Sequence, residues 1–276
     1  MAVVFSKLWP RLRQNYLMPD RLDEYRLLLT GIRHRGYRFL PLVEFANTIR
    51  AGNTTNAPTC LLRVDVDSDP RGAGRMFAVE RELGIRSTYY FRLSTIDRAL
   101  IAEMVQHGTE IGYHFEEAST LARQRGYRSA ADVEDAREEL RAQFRANVAK
   151  FHERTGVTPR TVAAHGDFLN RRLGVSNNCF VDRALLDELE ISAEAYERWL
   201  VSHISARIAD RPAPRHWHPY PPEVALASNP AVVSLIVHPR QWVRHSSSNA
   251  RADWERVWAE AEYGLNRWRR RVTGAG

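Results

Sequence analysis

Acidic and histidine side chains stand at the ends of four apolar segments of the chain. Asp65 and Asp67 end the segment at residues 60–67, and His114, His165 and His238 each end or directly follow another segment. Borderline metal ions such as Zn²⁺ favour imidazole together with carboxylate, and a catalytic site keeps one position open for water. This set of residue types therefore predicts a metal site with a catalytic role.

The spacing of the two aspartates adds to this prediction. On a strand, residues two apart point to the same face, so Asp65 and Asp67 share a face with Arg63. Carboxylates on the inner face of an apolar strand are costly unless a metal ion or other cations compensate their charge. The pattern fits a metal site, and it also fits a carboxylate cluster that Arg63 neutralises.

The elements that must position these residues alternate between strand and helix. Alternation at this spacing predicts a parallel sheet with helical crossovers, and the C-terminal ends of the strands carry the chemistry in a (β/α) barrel. We therefore expect an α/β fold with a closed or nearly closed barrel of about seven or eight strands. The predicted strands are residues 60–67, 87–93, 109–114, 161–165, 190–192, 203–208 and 231–237, and the predicted helices include 72–83, 95–106 and 130–154.

Two helical segments flank the predicted barrel. Residues 1–58 are expected to form a helical N-terminal extension, and residues 59–276 the barrel domain. The domain is expected to end in an amphipathic helix over residues 249–271, with Trp254 and Trp258 among its apolar positions.

Composition limits the function classes. The chain has 276 residues, of which 44% are hydrophobic and 26% charged, as in ordinary globular proteins. Its net charge of +7 comes almost entirely from Arg spread along the whole chain, which argues against a nucleic-acid-binding stripe. Cys60 and Cys179 form no CxxC pair, which excludes a Cys-rich zinc site. No run of about 18 apolar residues and no signal-peptide pattern is present, so we expect a cytoplasmic protein without a membrane span.

Three motifs carry a resemblance to a known family. Arg63-Val-Asp-Val-Asp67, Glu110-Ile-Gly-Tyr-His114 and Ile236-Val-His-Pro239 resemble motifs of the polysaccharide deacetylase (NodB-homology) family, also called carbohydrate esterase family four. The resemblance covers roughly residues 60–245 and is closest to a divergent branch associated with surface-polysaccharide biosynthesis. It implies a deformed (β/α) barrel and a metal-dependent amide hydrolase that removes N-acetyl groups from amino sugars.

The resemblance also implies roles for single residues. Asp65 matches the family's catalytic base and Asp67 its first metal ligand. His114 matches a second metal ligand, and His238 matches the general acid. The implied cofactor is a divalent metal ion, with Zn²⁺ favoured over Co²⁺, Ni²⁺, Mn²⁺ and Fe²⁺.

The third metal ligand departs from the family pattern. The family has a second histidine four residues after the first, where this chain has Ala118. Its Arg-containing third motif is replaced by Ala164-His-Gly-Asp167. Because neighbouring barrel strands lie about 4.8 Å apart, His165 at the end of the next strand is our predicted third ligand. Glu116 and Glu117 are the alternatives.

Four further residues are expected to contact the substrate, namely Arg92, Tyr113, Asp167 and Trp242. The expected substrate is an amino sugar, a glycan precursor or a similar N-acyl compound. Two alternatives stay open at this point: a small-molecule amidohydrolase or deformylase of the same fold, and a catalytically weakened glycan-binding member.

Overall fold

The computed structural model describes Tyr16 and residues 19–212, 215–244 and 246–273. The part of the predicted extension that falls on residues 1–15, 17 and 18 lies outside the described residues. The described chain has the predicted α/β architecture, with one curled sheet surrounded by helices.

The sheet has nine strands. They are β1 (Arg38–Phe39), β2 (Thr59–Val66), β3 (Thr88–Phe91), β4 (Glu110–Phe115), β5 (Thr161–Ala164), β6 (Ala193–Glu194), β7 (Ala206–Asp210), β8 (Trp217–His218) and β9 (Val232–Val237).

The strand order places β2 at the centre of the sheet. The order is β6-β5-β4-β3-β2-β9-β7-β8, and β1 pairs with the beginning of β2. Every pair is parallel except β7 with β8. All eight residues of β2 are buried, as expected for a parallel strand that is covered on both faces.

Helices surround the sheet. In chain order they are α1 (Leu22–His34), α2 (Leu42–Arg50), α3 (Pro70–Glu82), α4 (Arg98–Gln106), α5 (Glu117–Arg125), α6 (Ala130–Asp135), α7 (Arg137–Thr155), α8 (Phe168–Leu173), α9 (Arg183–Glu188), α10 (Arg198–Val201), α11 (Pro222–Leu226), α12 (Pro239–Trp242) and α13 (Ser246–Thr273), with a 3₁₀ turn at Leu93–Thr95. None of the helices in the described part of the chain combines the length and the apolar character that crossing a membrane requires.

The strands alternate between the helix-covered core and the interior of the curl. On β2, Leu62 and Val64 belong to the large outer core, whereas Leu61 belongs to a smaller inner cluster with Tyr90. This period of two also places Arg63 and Asp65 on the inner face. The curl brings opposite edges of the sheet together, because Tyr196 just after β6 stacks against Arg207 of β7, with 5.3 Å from guanidinium to ring centroid.

The structure confirms the α/β class and the curled barrel-like sheet, and it differs from the expectation in its closure. Among the described residues, the edge strands β6 and β8 pair with one neighbour each, so the sheet remains an open half-barrel. Two strands of two residues each, β1 and β8, were not predicted from the sequence. Strands this short carry too little alternation to be recognised by pattern.

The predicted N-terminal extension contributes to the sheet. Residues 22–50 form α1 and α2, and β1 between them pairs in parallel with Thr59 and Cys60 of β2. The boundary at residue 58 thus separates two segments that share one sheet, and it remains a prediction.

Candidate metal and catalytic site

One cavity of about 830 Å³ lies at the C-terminal ends of the strands. The parallel register aligns these ends, since Val64 pairs with Val237 and His114 pairs with Ala163. The cavity wall accordingly contains all five residues that the sequence placed at strand ends: Asp65, Asp67, His114, His165 and His238.

Asp67, His114 and His165 converge on one point. Their potential ligand atoms all lie within 4.8 Å of one another. Asp67 Oδ1 lies 3.3 Å from His114 Nε2 and 3.6 Å from His165 Nε2. The same oxygen is buried and has no hydrogen-bond partner among the described residues. A buried carboxylate oxygen without a donor, facing two imidazole nitrogens, fits a site for a divalent cation.

Both imidazoles present Nε2 to Asp67. His114 Nδ1 donates a hydrogen bond to the carbonyl oxygen of Ala163 at 2.9 Å, so in the neutral ring the lone pair lies on Nε2, which faces Asp67. His165 Nδ1 lies 3.5 Å from Glu116 Oε2, and its Nε2 faces Asp67. Burial lowers the pKa of His165 despite the nearby carboxylates of Asp67 and Glu116. A neutral imidazole has the lone pair that coordination requires.

Asp65 is held by Arg63 on the same strand. Arg63 Nε donates to Oδ1 at 2.7 Å and its terminal nitrogen donates to Oδ2 at 2.9 Å, and both side chains are nearly fully buried. The guanidinium also stacks on the rings of Tyr90 and Tyr196, with centroid distances of 5.0 and 4.8 Å. Burial raises the pKa of Asp65, but the positive charges of Arg63 and His238 outweigh this effect and hold the pKa below its usual range. Asp65 is therefore an ionised carboxylate.

His238 forms a second charged pair beside Asp65. Its Nδ1 donates to Asp210 Oδ1 at 2.6 Å, and its Nε2 points to the site, 3.9 Å from Oδ2 of both Asp65 and Asp67. Burial lowers the pKa of His238, but the Asp210 carboxylate and the two other aspartates overcome this effect and raise the pKa to about 10. His238 can therefore hold a proton at Nε2 near neutral pH.

Two residues expected to contact substrate do line the cavity, each with a further contact. Arg92 donates to both oxygens of Glu116 and to the backbone oxygen of Asp67, so it joins the segments that carry these two residues. Asp167 accepts a hydrogen bond from the backbone N–H of Leu169 and thereby caps α8.

The other two expected substrate contacts, Tyr113 and Trp242, lie outside the cavity wall. Tyr113 precedes His114 on β4, so its side chain points to the opposite face, where its hydroxyl donates to Glu117. Trp242 is 3% exposed and donates from its indole nitrogen to Asp210 at 2.9 Å. Trp242 thus acts on the site only through the carboxylate that holds His238.

The alternative third ligands also lie away from the Asp67 carboxylate. Glu116 is paired with Arg92 and faces Nδ1 of His165, the nitrogen that points away from Asp67. Glu117 points outward with Tyr113 and accepts a hydrogen bond from Asn147. Of the three candidates, His165 is the one whose nitrogen approaches Asp67.

Asp210 is a site residue that the sequence analysis missed. It ends β7, so it obeys the same strand-end rule as the other site residues. The predicted strand at residues 203–208 stopped two positions short, and this error in the boundary hid the signal.

The cavity wall is also rich in arginine. Arg171, Arg207 and Arg211 line it, and none of the three has an ion-pair partner among the described residues. Arg207 lies on β7, Arg211 directly follows that strand, and both line the cavity. These unpaired guanidinium groups give the cavity a capacity to bind an anion.

No family model matches the chain, and no curated protein matches it. Among solved structures, it is similar to a BA3943 mutant described as a CE4 family pseudoenzyme with restored enzymatic activity. The two are 13% identical with a TM-score of 0.38, over 76% of this chain and 65% of that one. The chain is also similar to the BpsB deacetylase domain from Bordetella bronchiseptica, at 14% identity and a TM-score of 0.45 over 80% of this chain and 86% of that one. Sequence identities and TM-scores this low do not assign a function to the chain, so the function has to be derived from the geometry of the site.

Proposed function

We propose that this protein is a metal-dependent hydrolase that removes an N-acyl group, most simply acetyl, from an amino sugar or glycan precursor. The observation that carries the proposal is the convergence of Asp67, His114 and His165 on one point, directly beside the ionised Asp65 and the protonated His238. A metal centre with an adjacent base and acid is the equipment that amide hydrolysis needs.

Asp67, His114 and His165 would hold the ion, since two imidazoles and one carboxylate suit Zn²⁺ and leave a position for water. A bound divalent ion would polarise the acyl carbonyl and lower the pKa of a water molecule in that open position. The residues around it would supply the proton transfers.

Asp65 and His238 divide the proton transfers between them. Asp65 is ionised and is held in place by two hydrogen bonds from Arg63, so it can accept the proton of the attacking water. His238 carries its proton on Nε2, fixed by Asp210 on the other side of the ring, and can donate it to the leaving amine. Because Asp65 Oδ2 and His238 Nε2 are 3.9 Å apart, base and acid flank the same reacting group.

The arginine-lined wall supports an anionic substrate. A glycan precursor that carries a phosphate group would place that group near Arg171, Arg207 or Arg211, while the N-acyl group enters the metal site. A neutral sugar would leave these charges without a partner.

Metal content and acyl release test the proposal together. We expect about one divalent ion per chain by elemental analysis, and we expect acetate release from N-acetylglucosamine 1-phosphate to exceed release from N-acetylglucosamine. His165→Ala should lose bound metal as severely as His114→Ala, whereas His34→Ala, at an exposed position in α1, should retain it.

The outcomes separate the alternatives. Metal retained by His165→Ala would refute the ligand set. Metal bound by the wild type without turnover of any N-acyl sugar would indicate a glycan-binding protein. Turnover of simple N-acyl or N-formyl amides but not of sugars would indicate a small-molecule amidohydrolase.

A further inference from the structure

The C-terminal helix α13 exposes a row of large apolar side chains. Six of them are between 47% and 68% exposed: Trp254, Val257, Trp258, Leu265, Trp268 and Val272. Three tryptophans exposed on one helix form an apolar surface of the kind that marks an interaction site in a soluble domain.

These side chains form a single stripe that points away from the protein. At about 100° per residue, the six positions fall within an arc of about 100°. Tyr263 lies on the opposite side of the helix, where it is buried and donates to the backbone oxygen of Tyr127. Nearby, Asn266 donates to the backbone oxygen of Arg123. An amphipathic helix normally packs its apolar stripe on the core of its domain. In α13 the apolar stripe instead faces solvent, and the side that carries Tyr263 packs on the domain.

The charge beside the stripe is positive. The four carboxylates of α13 already have arginine partners, in the pairs Arg240–Asp253, Arg251–Glu255, Arg256–Glu260 and Arg123–Glu262. The last turns carry four arginines between residues 267 and 271 and no acidic residue. Of these, Arg267 and Arg271 have no ion-pair partner among the described residues. In the turns that carry Trp268, the helix therefore has uncompensated positive charge at Arg271 beside the stripe and at Arg267 further round the helix.

We propose that α13 binds an anionic lipid surface, with its tryptophan stripe inserted at the level of the headgroups and its arginines on the lipid phosphates. Tryptophan favours the membrane–water interface, and basic amphipathic helices lie in that plane rather than across the bilayer. A second copy of the chain fits less well, because it would place the positive segment against carboxylates that are already paired. The proposal is independent of the proposed hydrolase activity.

Lipid binding through this helix would place the cavity beside the membrane. Ala252, Glu255, Arg256 and Ala259 of α13 line the cavity, whereas the stripe occupies another face of the same helix. A compound anchored in the lipid surface by an apolar tail would thereby have a short path from the headgroup region to the cavity.

Co-sedimentation of the purified 276-residue chain with vesicles tests the proposal. We expect the wild type to pellet with phosphatidylcholine vesicles that contain phosphatidylglycerol, and to pellet much less with phosphatidylcholine alone or at high salt, which screens the arginines. The triple variant Trp254→Gln, Trp258→Gln, Trp268→Gln should lose at least about tenfold in partition coefficient. Arg267→Gln with Arg271→Gln should weaken binding to the anionic vesicles only.

Matched control variants replace the same kinds of side chain, apolar or arginine, at other exposed positions. Leu27→Gln with Val224→Gln removes two side chains that are 71% and 56% exposed, and Arg38→Gln with Arg98→Gln removes two exposed arginines. Both pairs should bind vesicles like the wild type. Equal pelleting of the triple tryptophan variant and the wild type would overturn the proposal, as would a wild type that stays in the supernatant. Sedimentation velocity without vesicles adds a further check, because a dimer that the tryptophan variant converts to monomer would assign the stripe to a subunit interface instead.

Discussion

Replacing Arg63 isolates the contribution of the buried ion pair to both stability and catalysis. In Arg63→Met the aliphatic bulk is largely kept, but Asp65 loses both hydrogen bonds and its main positive partner in a site where the two side chains are only 6% and 4% exposed. Removing one partner of a buried pair costs about 3–5 kcal/mol, because the other charge stays buried and uncompensated.

The neighbours of Asp65 set the expected value within that range. His238, which is protonated, places Nε2 3.9 Å from Asp65 Oδ2, so part of the negative charge remains compensated. We therefore expect a loss near the lower end, about 3 kcal/mol in the free energy of unfolding. Arg63→Lys keeps the charge but not the two-pronged geometry, and should lose less.

Arg207→Met is the matched control. Both Arg63 and Arg207 stack on Tyr196, at 4.8 and 5.3 Å, but only Arg63 pairs with Asp65. Urea unfolding of both variants, together with kcat on an N-acetyl substrate and metal content, measures the difference. Arg63→Met should lower kcat while the metal content stays close to that of the wild type. If the two variants lose equal stability, the ion pair contributes nothing beyond stacking and the reasoning is refuted.

Three further predictions concern single residues. Asp65→Asn should keep the metal and lower turnover by about 10² or more, since only the base is lost; full activity in a steady-state assay would contradict its role. His238→Ala should slow amide hydrolysis more than hydrolysis of an activated aryl ester, because a phenolate leaves without a proton, and comparable losses on both substrates would remove His238 from the acid role. Glu80 is fully buried and accepts hydrogen bonds from Tyr25, Tyr89 and Ser87, and burial raises its pKa to about 7. The folded state therefore binds the Glu80 proton more tightly than the unfolded chain does, so the stability from this group is complete below about pH 4.5 and falls by about 3 kcal/mol as the pH rises through 7. Glu80→Gln should abolish that fall in urea unfolding curves measured between pH 5 and 8, and an unchanged pH dependence would show that Glu80 is not its source.

Much of the site could be predicted because strand ends are visible in a sequence. Apolar runs ending in Asp65–Asp67, His114 and His238 indicate both the element and the polar residue that it delivers. Parallel strands align their C-terminal ends, so residues distant in sequence converge without any knowledge of the helices between them. The placement of His165 beside His114 followed from the same rule, and the structure brings the two together.

The expected substrate contacts that lie outside the cavity, and the missed Asp210, depend on the direction of a side chain or on the exact end of a strand. Tyr113 directly precedes His114 on a strand, so the alternation of side chains already predicts that it points to the opposite face. Trp242 and Asp210 are different, because their contact joins a short helix after β9 to the last residue of β7, and no local pattern encodes that pairing.

Residue types and spacing by themselves determined the class of fold and the edge of the sheet where the candidate site residues collect, whereas the roles of base, acid and first two ligands came from the family resemblance. They could do so because hydrophobic periodicity and strand-end polarity are local properties. Only the tertiary structure decided that the sheet stays open, that Asp210 holds His238, that three arginines of the cavity wall lack partners, and that the apolar face of α13 points outward. Each of these depends on which surfaces meet across long stretches of chain, and packing between distant segments sets that outcome.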